Sequence, residues 1–415
     1  MSNVEAKTDF PTRSTEDWRA LVDKGLRGAA FDALTRETED GIIRGPLYCA
    51  SDLPPSLAAL GRTDLPLLQG RSWHIAAPVR DPDLGHANGQ LVEDLKGGAS
   101  AIRFESSLDL KTQADLKRVL EGVYTKLVPI QFASNSRNVE HVEFALTLER
   151  LEAAHVWAGL DPVKDAEALA SVLPATPQNW RLMGLAPVNI HEAGGTDAQE
   201  IAGLGASLAE AMRLHGVEMV CCHMVIDMAA DRDTHLTIAK FRTARRIILR
   251  IADAFGGDGS DIPLCALSSL RMMQTEDAWT NLLRVMSAGF GAVIGGADMV
   301  TTRPFTDRLG QATPFAHRIA RNMQLMMMEE SHLGQVSDAA FGSYWHEAMT
   351  DKLAQSAWEL FQDIEAKGGM TAYEKSGRFK SDLETSIAER EARDAPILGV
   401  TLHSAKDLKA PEVRA

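Results

Sequence analysis

The chain has 415 residues, 45% of them hydrophobic, so it is long enough to bury the core of one large domain with extensions. It carries 43 Lys and Arg against 57 Asp and Glu, and the net charge of −14 argues against nucleic acid or an anionic membrane surface as the main partner. The four cysteines show no CxxC spacing, so the sequence predicts no zinc knuckle, no disulfide scaffold and no other metal centre.

The first thirty residues are acidic and lack the apolar run of a secretory signal. The longest uncharged apolar runs, such as 219–226, are far shorter than the ~18 residues that a membrane helix requires. We therefore expect a soluble, cytoplasmic protein in a reducing compartment.

We predict that residues 1–70 form an amino-terminal arm and a segment that wraps around the main domain. Apolar side chains at helical spacing predict a helix in the arm: Trp18, Leu21, Val22 and Leu26. Four prolines between 41 and 66 indicate an irregular course after it. We expect the main domain to begin at residue 71.

From 71 to 345 short apolar runs alternate with helical patterns. The predicted strands are 73–78, 99–104, 127–133, 182–190, 218–226, 263–267 and 292–300. The predicted helices between them are 88–96, 113–122, 139–151, 164–173, 197–214, 234–255 and 279–288. Such an alternation is typical of parallel βα units, and eight of them close a barrel.

An open, doubly wound sheet gives the same alternation of strands and helices. That fold would need a glycine-rich phosphate turn, and the sequence contains neither GxGxxG nor GxxxxGK[ST]. We therefore predict an α/β fold of the (β/α)8 TIM-barrel type. Residues 346–415 are predicted as carboxyl-terminal helices packed outside the barrel, followed by a loosely held tail from 391.

Several motifs resemble the methylmalonyl-CoA mutase family. The segment 189–196, Asn-Ile-His-Glu-Ala-Gly-Gly-Thr, resembles the family's His-x-Gln-Glu-Ala-Gly-Ala, and 238–246 reads Ile-Ala-Lys-Phe-Arg-Thr-Ala-Arg-Arg. A longer ordered series includes Asn281-Leu-Leu-Arg284, Gly295-Gly296-Ala-Asp298, Phe315-Ala-His-Arg318 and Gly368-Gly369-Met370. With Asp40-Gly41 and Pro46-Leu47-Tyr48, the resemblance covers nearly the whole chain.

The resemblance implies a barrel whose open bore takes the pantetheine arm of a coenzyme A thioester. It also implies adenosylcobalamin, bound by a separate domain through an Asp-x-His-x-x-Gly motif. The segment from Asp233 to Ile238 approaches that motif but has Ile in place of Gly, so we expect His235 to lie at a helix start instead. A cobalamin domain needs roughly 130 further residues. We therefore expect cobalamin to come from another chain or to be absent.

Several positions depart from the family's catalytic pattern. Ala76 and Pro78 stand where the family has Arg and Tyr, Cys265 stands in place of a catalytic His, and Thr301 replaces a second His. These departures resemble the noncatalytic small subunit of two-chain mutases. The resemblance thus implies a subunit that binds an acyl-CoA and supports cobalamin-dependent isomerisation with a large subunit, or a homo-oligomer.

His191 and Glu192 support an alternative function. They follow a predicted strand, where barrels of this type place their chemistry, and an imidazole beside a carboxylate can act as a general acid/base pair. Such a pair could run lyase, hydratase or isomerase chemistry on an acyl-CoA without cobalamin. The other interpretation is that one of them caps the next helix. A third hypothesis is a module that only binds CoA esters.

Three more residues are candidates for binding a cofactor. The family counterpart of Arg284 lies near the coenzyme A phosphates, which a guanidinium suits, although an exposed helix ion pair is equally compatible. Arg303 lies on a predicted loop, where it could meet a carboxylate or phosphate. Glu330, or its neighbour Glu329, aligns with a glutamate that contacts the adenosyl ribose in the family.

Overall fold

The computed structural model describes residues 13–55, 57, 59–60, 71–134, 137–393, 395–404 and 408–414. The arm helix is confirmed as α1, Thr15–Gly25, which begins after Ser14 because the Ser14 side chain accepts a hydrogen bond from the Asp17 backbone. A short antiparallel hairpin follows, with strands β1 Arg36–Glu37 and β2 Ile43–Arg44. The segment 61–70, which precedes the predicted start of the main domain, lies outside the described residues.

Eight parallel strands form a closed barrel, and the (β/α)8 prediction is confirmed. The strands are β3 His74–Val79, β4 Ala101–Phe104, β5 Ile130–Phe132, β6 Val156–Leu160, β7 Arg181–Leu185, β8 Met224–Ala230, β9 Leu264–Ser268 and β10 Met299–Thr301. They pair in chain order, and β10 closes the ring against β3. No strand was predicted at the position of β6.

The helices that follow the strands form the outer layer. They are α2 Leu84–Lys96, α3 Gln113–Val119, α4 Asn138–Leu146, α5 Ala166–Val172, α6 Val188–Glu192, α7 Asp197–His215, α8 Val217–His223, α9 Thr234–Ala254, α10 Asn281–Ile294 and α11 Pro314–Leu325. Beyond them lie α12 Tyr344–Ala366, α13 Met370–Lys375 and α14 Arg378–Ala392. Leu353 and Ala357 of α12 join the main core, which confirms a carboxyl-terminal helix packed outside the barrel.

Two predicted strands are partly helical. The run 182–190 ends as a strand at Leu185 and becomes α6, and the run 218–226 begins as α8. Apolar runs of this length occur in buried helices as well as in buried strands, so the pattern alone does not separate them.

The strand side chains alternate between two apolar clusters. Ile75, Ile102 and Ile226 belong to the main core between the strands and the helices. Their neighbours form a separate cluster of Ala76, Ala101, Trp157, Val225, Cys265 and Met299. Since successive strand residues point to opposite faces, this second cluster fills the interior of the barrel.

A buried ion pair spans the bore above that cluster. Arg103 of β4 donates to Asp227 of β8 over 3.0 Å, and both residues are at most 5% exposed. These strands are four places apart in a ring of eight, so the pair joins opposite walls. Gln131 of β5 bonds to both side chains. The expectation of an open bore is therefore wrong at this level, because charged side chains meet on the axis.

The described part of the tail lies on loops beyond the carboxyl ends of the strands. The backbone N–H of Arg414 donates to Gln311 over 2.8 Å, and the indole of Trp279 donates to the Lys409 carbonyl over 2.9 Å. These contacts anchor a tail that the sequence predicts to be loosely held.

Candidate functional site at the carboxyl end of the barrel

His191 and Glu192 lie on α6, between β7 and α7. We predicted both to follow directly on a strand. In the structure they share one helical turn, so both reach toward the loop after β9.

Both carboxylate oxygens of Glu192 accept backbone hydrogen bonds from that loop. The Leu270 N–H donates to Oε1 over 2.7 Å and the Arg271 N–H to Oε2 over 3.0 Å. Glu192 therefore fixes the loop after β9 rather than the start of the next helix. Thr196 caps α7 instead, in a capping box with Gln199.

His191 has no exposed surface, and its Nε2 lies 3.0 Å from Ser269 Oγ. The Arg271 guanidinium lies 3.3 Å from Nδ1. Burial, with Lys240 and Arg271 nearby, holds the pKa of His191 well below its usual range, so the ring is neutral. Because a guanidinium can only donate, the contacts assign the ring proton to Nε2, which then donates to Ser269. A ring protonated at Nε2 cannot take a proton from Ser269, so the pair is not a nucleophile and its base.

Lys240 of α9 completes this cluster, with its Nζ 2.9 Å from Asp197 Oδ1 and also paired with Glu200. Burial opposes its charge, but the two carboxylates raise the pKa of Lys240, so the ammonium is retained. Lys240 lies within the family-like segment 238–246, and no role was predicted for it. A lysine on the apolar face of the predicted helix 234–255 is the sequence feature that could have indicated a buried charge.

Arg303 extends from the end of β10 toward β9. Its backbone N–H donates to Ser268 Oγ over 2.7 Å, and its side chain lies 3.8 Å from Asp307 and 4.0 Å from Glu105. Arg80 pairs with the same Asp307 over 2.6 Å. Both arginines are thus already matched by carboxylates, which leaves little unpaired positive charge for an anionic ligand.

Arg284 and Glu330 lie apart from this cluster. The Arg284 guanidinium donates to Asn281 Oδ1 and to the Leu398 carbonyl of the tail, over 2.8 and 2.6 Å. Glu330 is exposed at the end of the π-helical turn Met326–Glu330. The structure therefore brings His191 and Arg303 to the end of β9, and it places the other two predicted cofactor residues elsewhere.

His235 lies in the first turn of α9, as predicted. Its Nδ1 is 3.1 Å from Nε2 of His346, and its ring packs against Trp345. The His235 ring is therefore engaged by neighbouring side chains of this chain.

A family model and the curated relatives indicate the same family. The family model described as methylmalonyl-CoA mutase matches residues 167–414. A methylmalonyl-CoA mutase small subunit from Streptomyces virginiae is 34% identical, over 95% of this chain and 71% of that one. The chain belongs to the methylmalonyl-CoA mutase family. The small subunit from Propionibacterium freudenreichii subsp. shermanii is 30% identical, over 93% of this chain and 67% of that one.

A probable small subunit from Mycobacterium tuberculosis is 31% identical over 81% of this chain and 60% of its own length. The matched region thus spans between three fifths and about seven tenths of these family members. Among the described residues, no helix is long and apolar enough to cross a membrane.

The departures from the family's catalytic pattern lie inside or at the rim of the barrel. Ala76 and Cys265 belong to the apolar interior cluster, and Thr301 is 2% exposed. Burial raises the pKa of the Cys265 thiol well above its usual range, and Asp227 adds to this effect. A buried, protonated thiol is a weak hydrogen-bond donor.

Proposed function

We propose that this chain is a noncatalytic barrel subunit, which supports isomerisation of an acyl-CoA by a cobalamin-bearing mutase chain. The observation that carries this proposal is the Arg103–Asp227 ion pair across the bore. A pantetheine arm on the axis would have to displace two buried charges that hold each other. Separating such a pair is strongly unfavourable, on the order of 3–5 kcal/mol.

The bore and the predicted phosphate contact Arg284 do not suit a coenzyme A thioester. The bore is filled by Trp157, Arg103 and Asp227, and the guanidinium of Arg284 is bonded to the tail. The acyl-CoA and the adenosylcobalamin are accordingly assigned to the partner chain. This assignment differs from the CoA-binding barrel that the resemblance implies, and the Arg103–Asp227 pair across the bore supports it.

The amino-terminal arm supplies a surface for that partner. None of the residues of α1 is buried, although the helix has an apolar side. The Trp18 ring packs against Phe31 of the same segment, with ring centroids 6.0 Å apart, while Leu21 is 68% exposed. An amphipathic helix without a buried face is typical of a segment that packs against another chain.

Co-expression with a cobalamin-bearing large subunit tests this function. We expect a stable complex on size-exclusion chromatography that isomerises methylmalonyl-CoA when adenosylcobalamin is added, and no turnover by the chain alone. The variant Leu21→Asp should weaken the complex, whereas Tyr124→Asp, a matched change at a residue 79% exposed, should not. Turnover of an acyl-CoA by the lone chain, lost on His191→Ala, would instead support the catalytic prediction for His191 and Glu192.

A further inference from the structure

Three side chains beside the barrel mouth have the composition of a metal site. His191 Nδ1 lies 3.7 Å from Glu200 Oε2 and 4.0 Å from Asp197 Oδ1, and all three atoms lie within 4.8 Å of one another. His191 and Glu200 have no exposed surface. One imidazole and two carboxylates are ligands that zinc, cobalt and manganese accept in proteins.

The atoms that would not bind the ion are already held by neighbours. His191 Nε2 bonds to Ser269 Oγ over 3.0 Å, and Glu200 Oε1 accepts the Ala229 N–H over 2.7 Å. Metal ligands are usually oriented in this way, by hydrogen bonds to their outer atoms. The inner atoms, Nδ1 and Oε2, therefore face the same point from two helices.

An ammonium group occupies that point. Lys240 Nζ, from α9, pairs with Asp197 and Glu200 and is 1% exposed. Within the part of the chain that the structure describes, neither Lys240 Nζ nor Glu200 Oε2 makes a hydrogen bond of acceptable geometry. The ammonium thus lies between the two carboxylates, where a metal ion would lie.

We propose that the Lys240 ammonium takes the cation position of a latent divalent-metal site formed by His191, Asp197 and Glu200. Its removal leaves two neighbouring carboxylates in the interior, with Asp40 close to Asp197. A divalent ion of the zinc or cobalt class restores the missing positive charge and gains the His191 nitrogen as a ligand.

One cation competes for the same nitrogen. Arg271 Nη2 lies 3.3 Å from His191 Nδ1, but its Nη1 also donates to the carbonyls of His191 and Gly195. The guanidinium can give up the Nδ1 contact and remain anchored. In the natural chain the lysine is covalently fixed to α9, so this side of the mouth is closed without an exchangeable ion.

Titration of Co²⁺ into Lys240→Met and Lys240→Ala tests the proposal, with absorption in the visible range and the melting temperature as readouts. We expect one equivalent to bind, with a coloured complex and a higher melting temperature, and no such response from the natural chain. Lys380→Met is the matched control, because Lys380 is 83% exposed and lies far along the chain on α14. It should behave as the natural chain does.

The double variant Lys240→Met/Glu200→Gln removes one ligand and should bind Co²⁺ at least about 10-fold more weakly than Lys240→Met. If both single variants fold and bind Co²⁺ no better than the natural chain, the proposal is wrong. It is equally wrong if they stay unfolded with Co²⁺ present, or if the Glu200 change has no effect on affinity.

Discussion

The ion pair across the bore makes a stability prediction that can be worked out from its contacts. Arg103→Met removes the only charged partner that Asp227 has among the described hydrogen bonds, and it leaves Asp227 with the Gln131 amide alone. Asp227 is 5% exposed, so water cannot replace the guanidinium. Breaking a buried pair from one side costs about 3–5 kcal/mol, and we expect a loss of this size.

The double variant Arg103→Met/Asp227→Leu separates this explanation from a simple packing defect. Replacing a whole buried pair by apolar side chains is often neutral, so the second change should recover at least about 2 kcal/mol of the loss. Stability is not fully recovered, because Arg103 also donates to Glu105. Of its described ion pairs, Glu105 in the double variant retains only the one with Arg303, at 4.0 Å.

Urea unfolding followed by circular dichroism measures these free energies. Arg250→Met is the matched control, because Arg250 pairs with Asp253 at the surface and its side chain is 65% exposed. This change should alter the free energy of unfolding by no more than about 0.5 kcal/mol. If Arg103→Met costs no more than the control, or if the second change adds to the loss, the side chains do not meet in the bore and the argument for a closed barrel is refuted.

Three further predictions concern the mouth and the interior. Burial raises the pKa of Asp40 from 3.8 to about 6, with Asp197 adding to the shift, so its ionised form disfavours folding. The protonated Asp40 carboxyl favours folding below pH 4, and this contribution to stability is lost as the pH rises through 6. Asp40→Asn should therefore raise the melting temperature at pH 7.5 but not at pH 4. An equal effect at both pH values would contradict the assignment. Glu192→Ala should lower the free energy of unfolding in urea by about 2–4 kcal/mol, since two backbone donors lose a charged acceptor. A decrease of less than about 0.5 kcal/mol would show that the loop after β9 does not depend on Glu192. Ellman's reagent should label the exposed Cys222 in the folded chain and reach Cys265 only after unfolding; rapid labelling of Cys265 would contradict its burial.

The barrel was predictable because periodicity reports burial. Strand runs such as 263–267 are short, apolar and bounded by polar turns, and the structure shifts that run by one residue. The strand β6, which was not predicted, contains Gly159 at a positive φ of 68°, and its pairing with β7 is irregular there. A glycine inside a short apolar run favours the prediction of a turn or bulge over that of a regular strand.

The closed bore was not predictable from local patterns, because it depends on which strands face each other. Arg103 and Asp227 are single charges in otherwise apolar strands, 124 residues apart. Once eight strands are predicted, an opposite charge on the second and sixth is a signal for a pair across the axis. His191 and Glu192 show the same limit, since the sequence locates them at the mouth but does not reveal that Ser269, Leu270 and Arg271 already satisfy them.

Calorimetric titration of methylmalonyl-CoA into the isolated chain tests most directly whether its barrel takes a thioester. The closed bore predicts no binding heat from the lone chain, and saturable binding only when a large subunit is present. Stoichiometric binding to the lone chain, weakened by enlarging Ala101 to Leu inside the barrel, would contradict the account.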